Sequence, residues 1–378
     1  MNIRLRELDS LRGIAIILVM TGHISKRALY FSQNEVLHFI TQLTYVGWVG
    51  VDIFFVLSGF LITSILLRTR EEKDYFKNFY VRRVLRIFPL YFVFLAVFII
   101  LCPLLDPGYL PQLPGVLPYL LLYLQNWILL SDKYSLSLYL FVTWSLAIEE
   151  QFYMVWPAIV YFARRERLVK ICAGVIIFSI LGRIACIYLW NNTSLALRFI
   201  YQNTFTRFEE LVFGALLAIA FTYPVWKDRV KKISLPVFLV SLSVFISLCV
   251  WVFPNLYPTS TVIMGLGIYT PAAVFSTALI AMLVTYSDNS PIRRLFQNRI
   301  LAFFGKYSYS MYLLHLPVAM NLLDPLWHTR IRGWKMYLLY MALTYGITIL
   351  GSLLTWHLLE KRMLDLKKYF EYAPTKIS

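Results

Sequence analysis

The sequence predicts an all-α polytopic membrane protein, with about ten transmembrane helices, one re-entrant or interfacial helix and both termini cytoplasmic. Three observations lead there. Apolar residues make up 59% of the 378 and charged residues only 15%, whereas a soluble domain has roughly 45–50% and about 25%. The apolar residues gather into runs of around 20, enough to cross ~30 Å of hydrocarbon at about 1.5 Å per residue. Lys and Arg alternate in density from one inter-run segment to the next. No polar stretch is long enough for a large soluble domain. Residues 1–363 read as one membrane domain and 364–378 as a cytoplasmic tail.

Spans are expected at 11–30, 45–67, 84–102, 142–163, 168–190, 205–223, 233–253, 262–286, 304–322 and 336–359. The first keeps polar residues and lacks a small-residue cleavage site, so it reads as a retained span rather than a signal peptide. The apolar piece 116–130 is the exception in the series. If it crossed, RRERLVK (164–170) would lie outside with four positive charges. If it does not, 68–86, 164–170, 227–232, 293–306 and the segment after 360 all fall on the inner side with the amino end. About three quarters of the 36 Lys and Arg residues then lie inside, as the positive-inside rule requires. We therefore expect 116–130 to be re-entrant or interfacial, buried by its neighbours. Pro103, Pro107, Pro111, Pro114 and Pro118 make the preceding outer loop irregular.

The net charge of +16 has the same origin, so the expected partner is the lipid bilayer and not nucleic acid. Cys102, Cys172, Cys186 and Cys249 are scattered and suggest neither a metal site nor a disulfide framework. There is no clear internal repeat, which disfavours transporter folds built from duplicated halves.

Charges in hydrocarbon cost roughly 2.5–3.5 kcal/mol on insertion scales, so each needs a reason. Asp9 and Arg12 stand at the inner end of the first span, with His23 deeper in it. Eleven residues separate Arg12 from His23, which at about 100° each returns to nearly the same face, ~16 Å along the axis. His23 is either a neutral ring with one interhelical hydrogen bond or a functional group past mid-membrane. Asp52 lies in the second span. Glu149 and Glu150 adjoin in the fourth, and with ~100° between them only one is expected to face a shared cavity. The other is expected to pair with Arg183 or Arg207. In NFYVRRVLRIFPLYF, Arg82, Arg83 and Arg86 cluster by i,i+3 and i,i+4 spacing. They serve either as a positive-inside anchor or as a phosphate site, since guanidinium groups grip phosphates bidentately. His315 lies mid-span, two residues before Pro317.

LDSLRGIAIILVMTGH, GVDIFFVLSGFLI, FYVRRVLRIFPLY, WSLAIEEQFY and GKYSYSMYLLHLP occur in this order. The set, from about residue 5 to 360, resembles the acyltransferase-3 family of bacterial inner-membrane O-acyltransferases. The resemblance implies transfer of an acyl group, often acetyl, from cytoplasmic acyl-CoA to a hydroxyl of a glycan or lipid-linked sugar. It implies a site in which His23, Asp52 and Glu149 are catalytic and Arg12, Arg82, Arg83 and Arg86 bind acyl-CoA. Asp9, Ser58, Glu150, Tyr153 and His315 are expected to line it. Acyl-CoA, with acetyl-CoA the expected form, enters as a donor substrate, and no permanently bound cofactor or metal is expected. The C-terminal esterase-like domain of some relatives is expected to be absent. In the implied mechanism His23 is the general base, and Asp52 or Glu149 orients it. The rival reading is a transporter using the same His and carboxylates as a relay.

Overall fold

The computed structural model describes residues 6–28, 35–130, 134–190, 194–252, 267–327 and 333–371. Among these the chain is helical, without strands. A helix stands at each of the ten expected span positions: α1 (Arg6–Ala28), α3 (Val49–Thr69), α4 (Tyr75–Leu105), α6 (Thr143–Phe162), α7 (Arg165–Leu189), α9 (Thr204–Ala220), α10 (Pro224–Val252), α11 (Tyr269–Thr285), α14 (Ser308–Trp327) and α15 (Gly333–Thr355). Shorter helices join them: α2 (Glu35–Tyr45), α5 (Leu113–Leu121), α8 (Ser194–Gln202), α12 (Pro291–Phe296) and α13 (Arg299–Lys306).

Among the described residues six continuous rods, Arg6–Ala28, Glu35–Thr69, Tyr75–Leu105, Arg165–Leu189, Pro224–Val250 and Gly333–Phe370, are long and apolar enough to cross a membrane. The protein is an integral membrane protein. The remaining helices at span positions are α6, α9, α11 and α14. Three of these carry buried ionisable groups, Glu150 on α6, Arg207, Glu209 and Glu210 on α9 and His315 on α14, which lower their hydropathy.

The piece 116–130 forms α5, at ~13 Å too short to cross, followed by a 3-10 segment, Gln125–Leu130. Between them the chain reverses at Tyr123, whose φ is 55°, a conformation rarely adopted by residues other than glycine. The reversal is held by Gln151, whose Nε2 donates to the Tyr123 carbonyl at 2.7 Å, and by stacking on Tyr91. Val116, Leu120 and Ile128 are buried in the same cluster as α4 and α6.

Two glycine crossings set the helix positions around α1 and α3. A Cβ at Gly305 would collide with the Asp9 carbonyl, and one at Gly13 with that of Leu301, so α1 and α13 touch backbone to backbone. Gly59 and Gly214 do the same for α3 and α9. Small residues permit this approach, and van der Waals packing then holds the pair. Polar bonds lock the amino-terminal end of α1, where Glu7 accepts from Arg293 at 2.7 Å and from Gln297 at 3.0 Å. α1 packs against α3, α13, α14 and α15.

The segment expected as a tail returns to the helices. After α15 come a π-helical turn, Trp356–Glu360, then α16 (Lys361–Asp365) and a 3-10 turn, Leu366–Phe370. Arg82 donates to the carbonyls of Lys367 and Phe370 at 3.3 and 3.1 Å, and Asn78 to that of Glu371 at 3.3 Å.

Candidate active site

α1, α3, α4, α6, α14 and the returning segment enclose a cavity of about 300 Å³. Its lining follows from helix direction. α1, α4 and α14 contribute residues from one end of the cavity towards the other, and α3 and α6 run the opposite way. Asp9 and Arg12 from α1, Arg83 and Arg86 from α4, and Lys367 meet at one end. Arg12 and Asp9 pair at 2.8 Å, and their side chains remain 25% and 22% exposed. Arg83 lies over the rings of Phe79 and Tyr153, 5.7 and 5.8 Å from their centroids. Glu149 lines the cavity, faces Arg83, Arg12 and Arg86, and stands beside Ser58. Ser58 in turn bonds the Tyr153 hydroxyl. Three guanidinium groups against two carboxylates leave the cavity net positive while partly open to water, which suits a polyanionic ligand.

The other end is aromatic, formed by Phe54, Phe55 and Tyr312. The Tyr312 hydroxyl bonds Ser145 at 2.6 Å, and its ring lies 5.9 Å from that of His315. One turn past Tyr312, His315 Nε2 is 3.0 Å from His23 Nδ1. The two rings are nearly parallel, at 14°. His315 is fully buried, whereas His23 is half-buried. The two histidines therefore lie just beyond the aromatic end of a space whose other end is cationic, joined to its lining through Tyr312.

Of the residues singled out from the sequence, Asp9, Arg12, Ser58, Arg83, Arg86, Glu149 and Tyr153 line this cavity, and His23 pairs with His315 just beyond it. Three expectations need correction. Asp52 does not orient His23. It bonds Arg207 at 2.5 Å, and both side chains are completely buried. Arg82 does not join Arg83 and Arg86 at the cavity, because its guanidinium is taken up by the returning backbone. Glu150 is buried, but pairs with neither Arg183 nor Arg207: Arg183 binds Glu209 at 2.8 Å, and Arg207 binds Glu210 at 2.8 Å as well as Asp52.

Sequence reasoning passed over Lys367 and Tyr312 as site residues. Lys367 carried no signal, as one of several lysines in a charged segment. Tyr312 had one in its i,i+3 spacing to His315. The Arg207 guanidinium sits 4.3 Å from the Tyr269 ring centroid, within reach of Tyr201, Trp144 and Phe55.

A family model described as an acyltransferase domain, of the acyltransferase-3 type, matches residues 5–357. The chain belongs to the acyltransferase-3 family. Among its relatives is the peptidoglycan O-acetyltransferase OatA of Listeria monocytogenes, 29% identical over 356 residues, covering 91% of this chain and 54% of the relative. A putative O-acetyltransferase of Staphylococcus aureus is 31% identical over 326 residues, covering 82% and 50%. The putative peptidoglycan O-acetyltransferase YrhL of Bacillus subtilis is 29% identical over 331 residues, covering 82% and 48%. This acyltransferase-3 chain thus spans about half the length of the curated relatives it matches. No solved structure matches it.

Proposed function

We propose that this chain is a membrane O-acyltransferase of the bacterial cytoplasmic membrane. It moves an acyl group, acetyl in the first instance, from cytoplasmic acyl-CoA to a hydroxyl of a glycan on the outer side. The observation that carries this reading is the polarity of the cavity, cationic at the end that the positive-inside rule assigns to the cytoplasm and aromatic at the other, with a histidine pair just beyond Tyr312. Ten crossings with both termini inside accord with that orientation.

In this reading Arg12, Arg83, Arg86 and Lys367 hold the phosphates of CoA, and the pantetheine arm extends past Glu149 and Ser58 towards Tyr312. The acceptor hydroxyl meets the thioester at His23. Its oxygen attacks the carbonyl carbon as His23 Nε2 takes its proton. The C–S bond then breaks, and the thiolate leaves with a proton returned from the imidazolium. A glycan acceptor is supported by relatives named for peptidoglycan. The test is to give labelled acetyl-CoA to membrane vesicles containing the protein and their native glycan. Label should enter the glycan fraction with wild type and not with His23→Ala. Label that stays in CoA with both, while solute moves across the vesicle, would establish a transporter instead.

A further inference from the structure

The His23–His315 contact determines more than proximity. His315 Nδ1 lies 3.1 Å from the Met311 carbonyl oxygen. A carbonyl only accepts, so Nδ1 carries the hydrogen. In a neutral imidazole the other nitrogen is then an acceptor, and that nitrogen, Nε2, is the one 3.0 Å from His23 Nδ1. His23 Nδ1 must therefore donate, which leaves the lone pair on His23 Nε2. Among the described residues His23 Nε2 has no protein hydrogen-bond partner.

Exposure assigns the roles within the pair. His315 is fully buried on α14, between Met311 and Ala319, which are also buried. α14 is pinned by Tyr340, which donates to the Ala319 carbonyl at 2.8 Å. His23 belongs to α1, pinned where Tyr337 donates to Ser25 at 3.1 Å. The buried ring is the fixed one, and the half-buried ring can meet a substrate. In hydrolase triads the group that orients the histidine is a carboxylate, which fixes the tautomer and stabilises the imidazolium. Here a neutral imidazole occupies that position.

We propose that His315 is a positioning residue that holds His23 in its Nδ1-protonated tautomer and so makes Nε2 the base facing the acceptor hydroxyl. The Met311 carbonyl is the anchor of the chain Met311 O, His315, His23. This rests on the reading of His23 as general base. It adds that the orienting partner is neither Asp52 nor Glu149.

Two experiments on the full-length protein test it. In the first, transfer from labelled acetyl-CoA to vesicle glycan is measured for His315→Leu and His315→Gln. The glutamine amide oxygen reaches the place of Nε2 and can accept from His23; leucine cannot. His315→Leu should lower kcat by about 10²-fold with the KM for acetyl-CoA unchanged, and His315→Gln should recover most of the loss. Equal activity of the leucine variant and wild type, or no recovery with glutamine, overturns the proposal. The second measures the ¹⁵N shifts of labelled histidines in micelles, with His23 assigned by its loss in His23→Ala. Wild-type His23 should be Nδ1-protonated, which decides the matter even where His315→Leu fails to fold. An Nε2-protonated His23 overturns the proposal. Inactive His23→Ala with fully active His315→Leu removes only the positioning role, whereas active His23→Ala removes the general-base reading.

Discussion

Two groups of arginines and carboxylates lie within the helices, and they differ in access to water. At the cavity Arg12, Arg83 and Arg86 face Asp9 and Glu149 with side chains partly exposed. Behind α3, Arg207 binds Asp52 and Glu210, and Arg183 binds Glu209, with side chains that are all but unexposed. The cavity set has more cations than anions. In the second set three carboxylates meet two guanidinium groups, boxed by Tyr269, Tyr201 and Trp144. A charge that keeps an open side can bind something else, whereas one enclosed by its partners and by rings holds helices together. The lesson is sharpest for Asp52. It sits in GVDIFFVLSGFLI, one of the segments on which the resemblance rested, yet its geometry is that of a structural pair.

Five variants break or sharpen this contrast, and the largest effect is expected beyond the cavity. His23→Ala should lower transfer by about 10²–10⁴-fold, the contribution of a general base, with membrane levels and Tm as in wild type. A variant that transfers normally removes His23 from the chemistry. Next, Arg207→Met leaves Asp52 and Glu210 buried without their partner and should cost about 3–5 kcal/mol, read as a fall in Tm in detergent. Asp52→Asn should shift Tm in the same direction by less, while the folded fraction keeps a near wild-type kcat. Should kcat collapse at unchanged Tm, the two sets would not divide as argued, and Asp52 would belong with the chemistry.

The double variant Arg83→Ala/Arg86→Ala should raise the KM for acetyl-CoA by about 10–100-fold, the equivalent of losing one charge-assisted hydrogen bond of about 1.5–3 kcal/mol, at little cost in Tm. An unchanged KM would make the pair a membrane anchor. Arg82→Ala should have the smallest effect, within about 1 kcal/mol. Its readout is faster hydrogen exchange of the amides around 366–370, which lose two carbonyl contacts to α4. If this variant raises KM as much as the double variant does, Arg82 reaches the donor after all.

Much of the fold was legible because it depends on local composition. The ten runs of apolar residues, the charged segments between them and the prolines around 103–118 are read one window at a time, and a helix stands at each expected position. That 116–130 would be re-entrant or interfacial rather than a span was an expectation from a global count of charge, and its short helix and the turn at Tyr123 agree with a segment too short to cross. The site was legible in part. The i,i+3 spacing of Arg83 and Arg86 places both on one cavity wall, and the same arithmetic separates Arg82 from Arg86 by too little to show that Arg82 faces elsewhere. Glu149 and Glu150 were known to diverge, but which of them turned towards the cavity was not.

The sequence by itself determined the class of the protein, the order of its helices and the stripe on α1 that carries Arg12 and His23, because all of these follow from hydropathy and the pitch of one helix. Only the tertiary structure decided who meets whom: Asp52 with Arg207, His23 with His315, and Lys367 brought back to the cavity. Those pairings depend on how each helix is rotated and where it crosses its neighbours. Backbone contacts such as Gly13 on Gly305 and Gly59 on Gly214 set the crossings, and no periodicity within a single helix encodes them.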